Sequence, residues 1–357
     1  MHEGTLSEHP ISIAPMMERT DRHYRYMMRL ITRRTLLYTE MVTTGAIEFG
    51  DRQQLLGFDE CEHPISLQLG GDDPDALYRS VKIAGDFGYD EYNINVGCPS
   101  DRVQEGKFGA CLMARPGRVR EAVEAMKAAT SQPVTVKHRI GIDGRESYEE
   151  MREFVDEVQK AGPARFTVHA RIAILGGLSP KENRTIPPLR YEDVYRLKQE
   201  RPQLEIEING GIKTSHAIAE HLRSVDAVML GRAAYDTPFL LADVDSRYYG
   251  QENTGISRGE LVEAMIPYME QLQNQGLHPR MALRHMLELF AGRPGTRRYK
   301  QVLSGKLYPD MDVAQTMHKA LSKVDPDVRA ERPGFSIDAD GMNAHRMEVP
   351  SEAAQLT

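Results

Sequence analysis

The sequence predicts an α/β protein, a TIM (β/α)8 barrel followed by a small all-α helical domain. Short apolar runs alternate with longer segments of helical period from the N-terminus to about residue 245, and eight such pairs are the repeat of a barrel. No GxGxxG follows the first run and no GxxxxGKS occurs in the chain, which removes the dinucleotide fold and the P-loop. From Ser257 onward the strand signals stop and only helical periods remain.

Each element has its own signal. Ile11–Pro15 reads as the first strand, and Thr20 is the expected N-cap of an amphipathic helix over 21–34. Leu36–Met41 is the second strand and Ile65–Gly70 the third, followed by Asp73-Pro74, an N-cap with proline in the first helical position. The fourth strand, Glu91–Val96, places Tyr92, Ile94 and Val96 on one face and Asn93 and Asn95 on the other. Gly97 and Pro99 end it, and a polar loop over 101–110 follows. Val134–Ile140, Arg165–Ala170, Leu204–Asn209 and Ala227–Leu230 complete the eight strands, with helices over 119–129, 146–161, 191–200 and 214–222 between them. Helices over 260–275, 278–291, 296–303 and 313–324 make the second domain. The expected division is a barrel over 1–245, a helical domain over 246–325 and a disordered polar tail over 326–357.

Composition narrows the function classes. A hydrophobic share of 40% and a charged share of 27% belong to a soluble globular protein, no apolar run nears the roughly 20 residues of a membrane span, and the first ten residues carry no signal-peptide pattern. A cytoplasmic monomer without membrane contact is expected. Cys61, Cys98 and Cys111 lie far apart without a CxxC or a histidine pairing, so neither a disulfide framework nor a metal site is expected. A net charge of −7 argues against a protein that coats nucleic acid with its whole surface. It leaves room for a local basic face where Arg293, Arg297, Arg298, Lys300 and Lys306 crowd together.

In a barrel the C-terminal strand ends share one mouth. Here they carry Pro15, Met16 and Met17, Glu40, Gln68, Asn93 and Asn95 with Cys98, Lys137 and Arg139, His169, Asn209-Gly210-Gly211, and Gly231-Arg232. The Asn209-Gly210-Gly211 and Gly231-Arg232 turns each end a strand and open a helix, the usual phosphate site of such barrels; both are also compatible with tight turns that merely need glycine. Lys137 sits inside an apolar strand, where a lysine is costly unless it snorkels, pairs or works. His169 fits a ligand contact or a satisfied core histidine, and Gln68 can address the edge of a heterocycle. Together these residues suit a phosphorylated cofactor such as FMN, and a phosphosugar enzyme would satisfy the same pattern.

Ala14–Thr20, Gln68–Gly71, Asn93–Ser100 continuing to Gly109–Met113, Val136–Gly141, Val168–Arg171, Gly177–Arg184, Asn209–Gly211 and Gly231-Arg232 resemble, in order, the motifs of the tRNA-dihydrouridine synthases, and Gly177–Arg184 resembles their A subfamily. The resemblance runs from about residue 9 to about 325. It implies an FMN-containing barrel whose helical domain grips tRNA, with NADPH-dependent reduction of the C5–C6 bond of D-loop uridines. For the subfamily these are uridines 20 and 20a, and Pro15, Met16, Met17, Gln68, Lys137, His169, Asn209, Gly210, Gly211, Gly231 and Arg232 would hold FMN. Cys98 would be the proton donor: reduced flavin delivers hydride to C6, the carbanion at C5 needs an acid, and an ordinary thiol is mostly protonated at neutral pH. Asn95 would meet the uracil edge, and Lys181, Arg184, Arg297 and Lys300 would grip the tRNA backbone around the extruded base. Two other readings stay open: a flavin barrel acting on a free pyrimidine of the dihydroorotate type, and a non-catalytic tRNA-binding barrel.

Overall fold

The structure, a computed structural model, describes residues 7–305, 308 and 310–332. Its strands are β1 (Ile11–Ile13), β2 (Leu36–Tyr38), β3 (Val42–Thr43), β4 (Ile65–Gly70), β5 (Glu91–Val96), β6 (Val134–Arg139), β7 (Phe166–His169), β8 (Ile206–Asn209) and β9 (Ala227–Leu230). All pair in parallel in the order β2-β1-β9-β8-β7-β6-β5-β4-β3, and a β2–β4 pairing closes the ring. β2 and β3 are two pieces of the second predicted strand: Leu37 pairs with Ile65 and Val42 with Leu69 of the same neighbour. The nine strands therefore fill eight barrel positions, with helices around them.

Local chemistry sets the helix starts. Asp73 caps Pro74–Ala84, Thr214 caps Ser215–His221, and Ser147 and Ser257 form capping boxes with Glu150 and Glu260. The first helix, Arg22–Ile31, is capped by Asp21 rather than Thr20, because the Asp21 carboxylate reaches the His23 and Tyr24 N–H groups. Thr20 Oγ1 instead accepts from Met16 N at 3.0 Å and closes the turn after β1. The expected polar loop after Cys98 contains a helix, Asp101–Glu105, and a 3₁₀ turn, Gly109–Ala114; the Ser100 carbonyl starts the former and burial of Val103, Leu112 and Met113 holds both. Two short helices not read from the sequence, Thr44–Phe49 and Arg52–Leu56, follow β3 on caps from Thr43 and Asp51.

Beyond the barrel come the helices Arg258–Asn274, Arg280–Leu283, Thr296–Leu303 and Val313–Leu321. Residues 326–332, expected to open a disordered tail, instead hold defined positions. Asp325 caps Pro326–Ala330, Glu331 pairs with Arg258 at 2.8 Å and Arg293 at 2.6 Å, and Arg332 pairs with Glu260. Ion pairs order this segment, and ion pairs leave no apolar period to read. Residues 333–357 lie outside the described ones. A single apolar cluster runs from the barrel into the C-terminal helices. The Tyr26 and Tyr268 rings stack at 4.0 Å and His23 Nδ1 meets Tyr268 OH at 2.7 Å, seating those helices on Arg22–Ile31. Among the described residues no helix is long and apolar enough to cross a membrane.

Barrel interiors are usually filled by branched apolar side chains. This one is polar. Arg165 reaches Glu91 at 2.5 Å, Glu205 at 3.4 Å and Glu207 at 3.5 Å, and Ser12 and Thr167 each donate to Glu207.

Candidate active site

The period of two along β5 turns Glu91, Asn93 and Asn95 into the barrel, where β4 and β6 supply their partners. Asn95 Nδ2 donates to Gln68 Oε1 at 2.8 Å, Gln68 Nε2 donates to Asn93 Oδ1 at 2.8 Å, and Asn93 Nδ2 donates to Thr135 Oγ1 at 2.9 Å. Asn95 Oδ1 accepts the Gly97 and Cys98 N–H groups at 3.1 and 2.9 Å, an Asx turn that carries the chain out of the strand. Gln68 and Asn95 are both buried, and each uses both ends of its amide inside the protein. A second amide proton of each and one lone pair of Gln68 are left for a ligand.

Cys98 stands half-buried just beyond this turn, its Sγ 3.5 Å from Ser100 Oγ. Arg139 Nε donates to the Gly97 carbonyl at 2.9 Å, while its Nη1 reaches the Ile172 and Asn183 carbonyls at 2.9 and 3.0 Å. Gln104 Nε2 bridges the Pro99 and Leu175 carbonyls at 2.9 and 3.0 Å. The Cys98 turn is thereby tied to the long loop after β7. Asn183 pins that loop, fully buried, with its amide on the Ile174 N–H and on the Ile174 and Leu178 carbonyls.

Lys137 donates to Asn209 Oδ1 at 3.3 Å, and desolvation, with Arg139 adding to it, pushes its ammonium down to about 8. His169, next along the wall, is held neutral: burial first, then Arg139, Lys137, Arg171 and Arg184, drive its pKa well below the usual value. Burial, then Arg232, lowers Arg184, and burial lowers Arg171 with Arg232 acting in the same direction. Arg171 Nε is buried without a partner, and Arg232 Nη2 reaches the Arg184 carbonyl at 3.3 Å. Cys98 lies within electrostatic range of Lys137, Arg139 and Arg184, so thiol and cations share one mouth.

Gly210 and Gly211 adopt φ of 119° and 72° after β8. A Cβ on Gly210 would stand 2.8 Å from His169 Cδ2, and one on Gly211 would stand 2.6 Å from Leu189 Cδ1. Gly231 faces open space at the start of Arg232–Asp236. Beside Gly231, at the end of the neighbouring β1, Pro15 and Met16 are half-buried and Met17 is exposed.

The expected strand-end residues thus converge. The two helical-domain candidates do not join them: Arg297 is exposed on Thr296–Leu303, and Lys300 on the same helix is held by Glu288 at 2.6 Å. Lys181 is exposed in the loop after β7 beside Arg184, and Lys306 lies outside the described residues. The sequence singled out neither Arg171 nor Asn183, although both fall in motifs it marked; the orphaned Nε of one and the complete burial of the other become visible only in three dimensions. Among the described residues no group of three or more His, Cys, Asp or Glu side chains is placed to hold a metal ion.

Comparison with known proteins agrees with this architecture. Residues 12–324 match the dihydrouridine synthase (Dus) family. The chain is 58% identical over 298 residues to a tRNA-dihydrouridine(20/20a) synthase of Synechocystis, covering 84% of this chain and 89% of the relative. Proteins of the same name from Pseudomonas aeruginosa and Shewanella oneidensis are 54% and 50% identical, over 87% and 90% of this chain and 93% and 95% of theirs. With the match spanning every barrel strand from within β1 onward and the C-terminal helices as far as residue 324, the chain belongs to the dihydrouridine synthase family.

Proposed function

We propose that this protein reduces the C5–C6 bond of D-loop uridines in tRNA, at positions 20 and 20a as its relatives are named, with FMN as resident cofactor and NADPH as reductant. The observation that carries the reading is a thiol on a turn held by Asn95 and Arg139, in the same mouth as Lys137, Arg171, Arg184 and Arg232. The donor set suits FMN. Gly231 opens onto free space at the start of a helix, Gly210 and Gly211 hold a turn that a side chain would push against His169 and Leu189, and the buried Arg171 Nε beside Arg184 and Arg232 suits an anion. Asn209, Gly210, Gly211, Gly231 and Arg232 would hold the phosphate end; Pro15, Met16, Met17, Gln68, Lys137 and His169 would hold the ring system.

When bound, the flavin supplies the hydride that uracil C6 receives. Cys98 donates the proton that C5 requires, from a thiol kept in place by the Asn95 turn and the Arg139 clamp. Lys137, with its proton only loosely held, stabilises negative charge that develops beside it. Neutral His169 offers an N–H without adding another cation to a crowded wall. Lys181 and Arg184 at the rim and Arg297 with Lys300 on the helical domain, residues 246–325, would grip phosphates around the extruded base. A cytoplasmic monomer fits this reading.

The test is to incubate the purified protein and its Cys98→Ala variant with NADPH and unmodified tRNA, then map dihydrouridine by nucleotide position. D-loop dihydrouridine from the wild type, and a loss of about 10²-fold or more in the variant, is the expected result. A wild type that reduces its flavin but leaves tRNA unchanged would move the substrate to a free pyrimidine.

A further inference from the structure

We propose that Glu91, at the opposite end of β5 from Cys98, is a positioning residue that fixes the Cys98 turn through a one-way chain of hydrogen bonds inside the barrel. Its carboxylate receives four donors: Tyr38 OH at 2.7 Å, Ser66 Oγ at 2.8 Å and Thr135 Oγ1 at 2.9 Å on Oε1, and Arg165 Nη2 at 2.5 Å on Oε2. Thr135 has one hydroxyl proton, and Glu91 takes it. The Thr135 oxygen can then only accept from Asn93, so the Asn93 amide must present Nδ2 to it and Oδ1 to Gln68. Gln68 must in turn present Nε2 to Asn93 and Oε1 to Asn95. That leaves Asn95 Oδ1 facing the Gly97 and Cys98 N–H groups.

An amide has the same shape either way round, so packing alone does not choose its orientation. Here the carboxylate chooses it for three amides in succession. Reversing any one of them sets oxygen against oxygen or N–H against N–H at about 2.8–2.9 Å, as the chain's spacings show. Gln68, Asn93 and Thr135 are 1%, 0% and 0% exposed, so water cannot repair the mismatch. Donors aligned in one sense also polarise one another. The alternation Glu91-Tyr92-Asn93-Ile94-Asn95 supplies three of the members from one strand face, and the pairing of Asn93 with both Gln68 and Thr135 supplies the rest.

The inference rests on the proposed role of Cys98, and its test separates the two. Thr135→Val keeps shape but removes the hydroxyl that passes the polarity on, leaving the Glu91–Arg165 pair intact; Thr135→Ser keeps the hydroxyl. In full-length, flavin-loaded protein, hydrogen exchange at the Gly97 and Cys98 amides should quicken about tenfold in Thr135→Val and stay at the wild-type rate in Thr135→Ser. Dihydrouridine formation should fall about tenfold in Thr135→Val and stay at the wild-type level in Thr135→Ser. Should Thr135→Val fail to fold, Thr135→Ala, smaller and equally without the hydroxyl, carries the same expectation. Wild-type exchange in the hydroxyl-free variants, or equal impairment in Thr135→Ser, overturns the proposal. If the wild type makes no dihydrouridine, the exchange rates still decide whether the chain that runs from Glu91 through Thr135 sets the turn.

Discussion

The two sides of the barrel mouth are built on opposite principles. Around Cys98 nearly every polar group has a protein partner: Asn95, Gln68 and Asn93 satisfy one another, and Arg139 binds three carbonyls. From β6 to β9 the charges oppose one another, since Lys137, Arg171 and Arg184, with Arg139 from the other side, all bear on His169 and Arg232 bears on Arg171 and Arg184. A satisfied network is rigid before any ligand arrives, which suits a group that must deliver a proton to one atom. A cluster of like charges without acidic partners draws an anion, which suits the phosphorylated cofactor and the tRNA proposed above. Sites for geometry and sites for affinity are thus distinguished by where the counter-charges lie.

The comparison can be broken most severely from beneath. Arg165→Met leaves Glu91 and Glu207 buried without their cation, and should lower stability by about 3–5 kcal/mol in chemical denaturation, along with the order of the Cys98 turn. On the cation side, Gly210→Ala forces a side chain into φ 119° against His169 and should lower stability by about 1–3 kcal/mol, with loss of flavin absorbance after purification as the sharper readout. A milder change separates charge from packing. Lys137 is pushed down to about 8 from an ordinary 10.5, so between those values the unfolded chain keeps a proton that the folded chain has released. The contribution of Lys137 to the stability of flavin-free protein should therefore rise with pH from about 8 toward 10.5, so the stability difference between wild type and Lys137→Met should shift in favour of the wild type across that range, and the variant should retain flavin less well. Denaturation of both proteins across that range gives the difference directly. The smallest effects belong to the helical domain: Lys300→Ala breaks a half-exposed pair with Glu288 and should cost under about 1 kcal/mol. Arg297→Ala should leave stability unchanged and reduce the salt dependence of tRNA binding by about one unit of slope.

These regions also differ in how legible they were. The strand ends could be read residue by residue, because apolar runs, glycines and a lone cysteine sit at fixed offsets in a repeating unit. The barrel's polar interior could not. Ser12, Ser66, Thr135, Thr167 and Glu207 look like surface positions in a linear chain, and only ring closure turns them toward one another. Asn95 illustrates the limit: its sequence position suggests the uracil edge, while in the structure its amide oxygen takes the backbone N–H groups of the Cys98 turn. Lys300 shows the same limit on the surface, since a cluster of basic residues in sequence does not reveal which of them Glu288 neutralises.

By itself the sequence determined the eight-strand repeat, the place of Cys98 beyond β5, the glycine turns after β8 and β9 and the family, because each depends on neighbours within a few residues. Tertiary structure alone decided which cations stay unpaired, which amides face one another and which way each points. Those are properties of side chains brought together across the barrel, where burial removes water as an alternative partner and makes one orientation win.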